Sequence, residues 1–236
     1  MTTRESERTT CVTSGASSWV LFVERYGMLL VLVALFAAAG LMSEYFLMAR
    51  NLLNVARQVA AIGVVSIGMT LAILTGGIDL AVGSTLALSA ILLAKYQHLG
   101  VLALFMSLFA GAGIGLLSGY FISMWRMPPF VVTLAMLIAV RGTAVLVAES
   151  HPIEGVPAVA AFLGRGQIGP LPASTGVFVV VAVLIWIFLA KTRVGRHVYA
   201  VGGNEESARL AGINVVGVKM LVYVLSGILA ALAVLG

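Results

Sequence analysis

A chain of 236 residues that is 61% hydrophobic and only 10% charged cannot cover itself with the polar surface that water requires. Ordinary globular domains are about half apolar and about a quarter charged, so the mean hydropathy of +1.11 excludes a soluble domain and points to lipid. The net charge of +5 does not imply nucleic acid, because the basic residues fall mainly between apolar runs, where they orient helices in a bilayer.

Residues 1–18 are rich in Ser and Thr, carry mixed charges, and are expected to form a disordered cytoplasmic tail. They are not a secretory signal, since the apolar run that follows is too long and lacks a small-residue cleavage site. The rest, residues 19–236, reads as one transmembrane domain. Crossing the hydrocarbon takes about 20 apolar residues. Seven apolar runs follow in order: Gly27–Met42, Val55–Leu74, Leu80–Ala94, Val101–Met124, Phe130–Ala148, Ala173–Ala190, and Val215 onward. The expected fold is therefore an all-α, polytopic membrane protein. With the amino terminus inside, nine basic residues face the cytoplasm: Arg4, Arg8, Arg25, Arg126, Lys191, Arg193, Arg196, Arg209 and Lys219. Four face outward, Arg50, Arg57, Lys95 and Arg165, and this excess sets the orientation. Residues 149–172 are then an external loop and residues 191–214 a cytoplasmic one. The terminal stretch Ser226–Gly236 is still apolar, with no cap or basic flank, so the chain is expected to be a fragment or a truncated reading frame.

Four motifs interrupt the apolar pattern. In Leu74–Ser84, LTGGIDLAVGS, Gly76 and Gly77 loosen the helix, and Asp79 places a carboxylate next to hydrocarbon. One reading is a broken helix with Thr75, Asp79 and Ser84 lining a transport site. The other is a tight cytoplasmic turn in which Asp79 caps the next helix, and the two are compatible. Gly111, Gly115 and Gly119 lie four apart on one helix face, which predicts close approach of another helix. Pro128 and Pro129 suit a helix start. Arg141, well inside the fifth run, should face the bundle or snorkel outward, toward either a structural partner or a substrate. In the loop, Asn204 is a good N-cap, Glu205 and Glu206 favour the positive end of a helix dipole, and Gly212 is a terminator. This predicts a short helix over Glu205–Ala211, with Ala208, Leu210 and Ala211 on one side. It is read either as docking a partner or as a solvated hairpin.

Other chemistry has no support. Cys11 stands alone and His98, His151 and His197 are far apart, so neither a disulfide framework nor a metal site is expected. No G-x-x-x-x-G-K-[ST] phosphate loop and no hydrolase signature is present. Neither a cofactor nor a catalytic residue is expected.

The segments ILTGGIDLAVGS, MPPFVVTLAMLIAVRG and TRVGRHVYAVGGNEESARLAGINV, in this order, resemble the permease subunits of bacterial ABC importers for monosaccharides. Ribose, xylose, arabinose and autoinducer-2 permeases belong to that group. The resemblance implies a subunit of a longer helical bundle in the bacterial inner membrane. Its partners would be a second permease subunit, a two-domain cytoplasmic ATPase and a periplasmic sugar-binding protein. It matches Asn204, Glu205, Glu206, Ala208, Arg209, Leu210 and Gly212 to the helix that docks on the ATPase, and Thr75, Gly76, Gly77, Asp79 and Ser84 to the centre of the transmembrane core. It implies further spans after this chain stops. An ion-coupled secondary transporter using Asp79, a non-transporting scaffold, and a branched-chain amino-acid permease are the alternative readings.

Overall fold

The computed structural model describes residues 18–149, 151, 153 and 155–235, so the tail expected over residues 1–18 lies almost wholly outside them. Ten α-helices occur among the described residues. They are α1 (Ser18–Met42), α2 (Ala49–Leu74), α3 (Val82–Lys95), α4 (Val101–Met124), α5 (Pro129–Val147), α6 (Ala158–Arg165), α7 (Ala173–Lys191), α8 (Arg193–Gly203), α9 (Glu205–Leu210) and α10 (Val215–Leu232). The strand pairing found there is one two-residue hairpin, β1 (Gln167–Ile168) antiparallel to β2 (Leu171–Pro172). The fold is all-α.

Two compact units divide at Leu52. In the first, the turn after α1 is closed locally. The rings of Phe36 and Phe46 meet edge to face at 5.0 Å, and Asn51 Nδ2 donates to the Phe46 carbonyl at 2.9 Å.

The second unit is built around α10. Over half of its span is enclosed, against less than a fifth for α7. Small residues explain why α10 can sit so deep. A Cβ on Gly111 would strike the Gly227 carbonyl, and one on Gly115 would strike the Tyr223 carbonyl and lie 2.9 Å from the Val224 Cα. One on Gly119 would lie 2.9 Å from the Met220 Cα. The two helices meet backbone to backbone, as the spacing of the three glycines predicts. Around this seam Val64, Leu71, Ile122, Val132, Val198, Val218 and Val222 form one buried cluster. A second, Leu88, Ile114, Val140 and Ala144, joins α3, α4 and α5.

Among the described residues, five helices are long and apolar enough to cross a membrane: α2, α4, α5, α7, and α10 with its terminal turn. Two further apolar helical stretches are shorter, Tyr26–Met42 and Val82–Lys95. The outward faces suit lipid, with Phe105, Phe109, Val180, Leu184 and Trp186 exposed.

Boundaries differ from the sequence reading where polarity and helicity part company. α2 begins at Ala49 rather than near Val55, because Arg50, Asn51 and Asn54 lower hydropathy without breaking a helix. The segment read as a plain external loop contains α6 and the hairpin, and the segment read as a cytoplasmic loop contains α8 as well as α9. Thr192 caps α8 by accepting from the Gly195 amide at 3.0 Å. The turn of Val198 and Val201 into the core holds the helix in place.

Candidate functional site

α2 ends at Leu74, and the chain turns there. Gly76 has φ of 77°, in the left-handed region that glycine alone enters without a penalty. The Gly76 and Gly77 amides bond back to the Ile73 and Ala72 carbonyls at 2.9 and 3.0 Å, which satisfies the last turn of α2. Thr75 Oγ1 also donates to the Ala72 carbonyl, at 2.9 Å. From this turn the chain dips back among the helices. Thr133 Oγ1, fully buried on α5, donates to the Ile78 carbonyl at 3.1 Å.

Asp79 follows, and only 4% of its surface is exposed. Its Oδ1 accepts from the Ala81 amide at 3.0 Å and its Oδ2 from Ser226 Oγ at 2.7 Å. Ser84 Oγ donates to the Ala81 carbonyl at 2.9 Å. The residue preceding α3 is Ala81, which makes no side-chain cap, so Asp79 closes the turn rather than capping the helix. The helix is broken between α2 and α3, as expected, but the cap expected from Asp79 is not made: a turn next to the α8–α9 end leads to a buried carboxylate. Ser226 is the twelfth residue of α10, about 16 Å along the helix axis from Val215. From there α3 runs for 14 residues, roughly 21 Å.

The short helix α9 forms as predicted but ends one residue earlier, at Leu210. Asn204 Oδ1 accepts from the Ser207 amide at 2.8 Å. Gly212 leaves the helix at φ of 81°, with the Gly212 and Ile213 amides bonded back to Arg209 and Ala208 at 3.0 Å. The expected apolar side is split: Ala208 is buried in the main core, whereas Leu210 is 82% exposed. Arg209 pairs with Glu205 at 3.1 Å and with Glu206 at 3.7 Å. Glu205 also binds Lys219 Nζ on α10, at 2.5 Å.

The α8–α9 segment touches the α2–α3 turn directly, since a Cβ on Gly202 would strike the Leu74 carbonyl. Between them lies a cavity of about 430 Å³, lined by Thr75, Gly76, Gly77, Asn204, Glu205, Lys219 and Tyr223, among others. The Tyr223 ring is 1% exposed, its hydroxyl lies against Gly77, and that hydroxyl has no hydrogen-bond partner among the described residues.

The hydrogen bond from Lys219 holds the Glu205 carboxyl below the usual glutamate range, with Arg209 and Arg126 adding to the effect against partial burial. A carboxyl depressed in the folded state stabilises above its ordinary value, and that contribution is lost as pH falls through the lowered one. Glu205→Gln should therefore lower the thermal midpoint of the purified protein at neutral pH and have less effect as pH is taken below about 4. The pair is part-exposed, so the difference should be worth no more than about 1 kcal/mol.

At the other end of the bundle, Lys95 donates to Glu149 Oε1 at 2.7 Å and to the Val147 carbonyl at 2.8 Å, tying the end of α3 to the end of α5. Arg141 is exposed on α5 and has no partner among the described residues. Among those residues no group of three His, Cys, Asp or Glu could hold a metal ion. Sequence reasoning missed Thr133, Lys219, Tyr223 and Ser226 as neighbours of these motifs. The signal was weak but present: α10 carries three polar groups, four and then three residues apart, within an otherwise apolar run.

Residues 51–235 match the family described as branched-chain amino acid transport system / permease component. The chain is 39% identical over 216 residues to a ribose import permease protein of Bacillus subtilis, covering 89% of this chain and 67% of that one. It is 32% identical over 236 residues to a D-allose transport system permease protein of Escherichia coli, covering 95% and 72%. It is 33% identical over 218 residues to a fructose import permease protein of Rhizobium meliloti, covering 87% and 61%. No solved structure matches. The chain spans about two thirds of the length of these relatives. With residues 51–235 matched and five helices able to cross a membrane, the chain belongs to the branched-chain amino acid transport system / permease component family and is an all-α, polytopic membrane permease.

Proposed function

We propose that the chain is the permease subunit of an ATP-driven importer that moves a monosaccharide across the bacterial inner membrane. The observation that carries this reading is the 32–39% identity to permeases named for ribose, allose and fructose. It favours a sugar over the amino acids in the family's description. Two such subunits would enclose the path, a separate ATPase would supply the work, and a secreted binding protein would select the sugar. The excess of basic residues between the apolar runs supports an amino terminus inside, with α8 and α9 in the cytoplasm.

Two features support the assignment of parts. α9 is held rigidly by its cap, its terminal glycine and its link to Lys219, yet presents Leu210, Glu206 and Arg209 outward. A rigid element with an exposed apolar tip suits docking on a partner better than a solvated hairpin does. Asn204, Glu205, Glu206, Ala208, Arg209, Leu210 and Gly212 are assigned to this docking helix. Thr75, Gly76, Gly77, Asp79 and Ser84 are assigned to the re-entrant wall of the pathway. Arg141 fits the two-subunit plan, because an unpaired charge on a membrane-spanning helix is costly against lipid and is relieved by protein or water.

The test is co-expression with a two-domain ATPase and a secreted sugar-binding protein of such an importer. Uptake into vesicles should require ATP, and Leu210→Asp should remove the ATPase from the purified complex while leaving the permease folded. Uptake that follows the proton gradient and survives ATP depletion would sink the proposal. Assembly without uptake would favour the scaffold reading, and competition by leucine but not by sugars would favour the amino-acid one.

A further inference from the structure

We propose that one face of α10 is a relay that delivers movement of α9 to the re-entrant segment carrying Asp79, with Lys219, Tyr223 and Ser226 as its positioning residues. The proposal rests on reading α9 as the docking helix and names how that helix would act at a distance.

The three residues lie four and then three apart, so they share one side of the helix. At the near end, Lys219 is bound to Glu205, the first residue of α9. One turn on, the buried Tyr223 ring packs on Gly77, and its hydroxyl has no hydrogen-bond partner among the described residues. At the far end, Ser226 is fully buried and donates to Asp79 at 2.7 Å. The face thus makes three successive contacts: with the docking helix, with the turn, and with the carboxylate beyond it. The distance from Lys219 to Ser226 is seven residues of helix, about 10 Å.

The alternative route is less direct. The α8–α9 segment meets the turn directly at Gly202, against the Leu74 carbonyl. That contact lies at the start of the turn, beside the cavity of about 430 Å³ and five positions before Asp79. The face of α10 reaches past the cavity. The Gly111–Gly227 and Gly115–Tyr223 contacts brace its flank against α4, so the helix transmits a push instead of bending.

The experiment uses the assembled transporter, permease with ATPase and binding protein, in proteoliposomes, and reads sugar moved per ATP hydrolysed. Ser226→Ala and Lys219→Met should each lower that ratio roughly tenfold, a typical coupling between two sites, with ATP hydrolysis and ATPase co-purification retained. The charge exchange E205K/K219E should recover part of the loss. A purely structural role would lower yield and hydrolysis together and leave the ratio unchanged. An unchanged ratio in folded Ser226→Ala and Lys219→Met, or no recovery in the exchange, would overturn the relay. Failure of the docking reading is seen separately: Leu210→Asp would then leave the ATPase bound.

Discussion

Leucine in place of Gly115 should abolish folded protein in the membrane, whereas leucine in place of Gly113, on the same helix, should leave the yield close to that of the parent. The two positions differ in what a side chain meets. A Cβ at Gly115 runs into the Tyr223 carbonyl and comes within 2.9 Å of the Val224 Cα. Neither is a side chain that can rotate away, so α10 itself must retreat. Nothing lies within 4 Å of a Cβ at Gly113, which faces outward. Overpacking against movable side chains already costs about 1–3 kcal/mol, and a backbone obstacle costs more. Separating α4 from α10 would also open the seam around which the main cluster is packed, so the loss is not local. Detergent extraction followed by size-exclusion profiles of a fluorescent fusion distinguishes the two outcomes. Equal yields from the two variants would mean that the seam is not what holds the bundle.

Asp79→Ala should lower both stability and uptake, and Asp79→Asn should largely preserve stability. Alanine leaves the Ser226 hydroxyl and the Ala81 amide without their acceptor in a site that is almost closed to solvent. Each buried group so orphaned costs about 1–3 kcal/mol, equivalent to roughly 2–12 °C in thermal midpoint for a protein of this size. Asparagine is isosteric. Its carbonyl can accept from Ala81 while its amide donates to Ser226, whose hydroxyl both donates and accepts. Thermal unfolding of the purified protein gives the ranking. The pair also separates mechanisms: an ion-coupled transporter that charges and discharges Asp79 loses uptake in the asparagine variant, whereas a permease that uses Asp79 to hold its wall does not.

The parts of the site that could be read from the sequence are those whose partners are near in the chain. Asn204 and Gly212 bound α9 through bonds three to five residues away, so composition alone reports them. The same is true of Pro128 and Pro129 at the start of α5 and of the turn at Gly76. The glycine spacing in α4 announced close packing, but its partner could not be named, because α10 has no matching repeat beyond Gly227. Asp79 and Ser226 are 147 positions apart, and no local pattern links them. Lys219 reads as a charge that orients a helix, and no local pattern names its partner Glu205, 14 positions away. The split of Ala208 from Leu210 was also out of reach: helical spacing groups residues by face, and only the core decides which face is covered. α8 was hidden because Gly195, Gly202 and Gly203 weaken its propensity, and packing of Val198 and Val201 overrides that weakness.

The shared backbone seam of α4 and α10 has a consequence for how the protein can change shape. Helices that touch through side chains can slide or roll as rotamers readjust, but these two meet where there are no side chains to readjust. They can travel only as one stiff beam. In the proposed ATP-driven importer, probes placed on α4 and α10 would then keep a constant separation through a cycle of ATP binding and release, and the movement would appear as rotation of that beam against α7, the span the bundle encloses least.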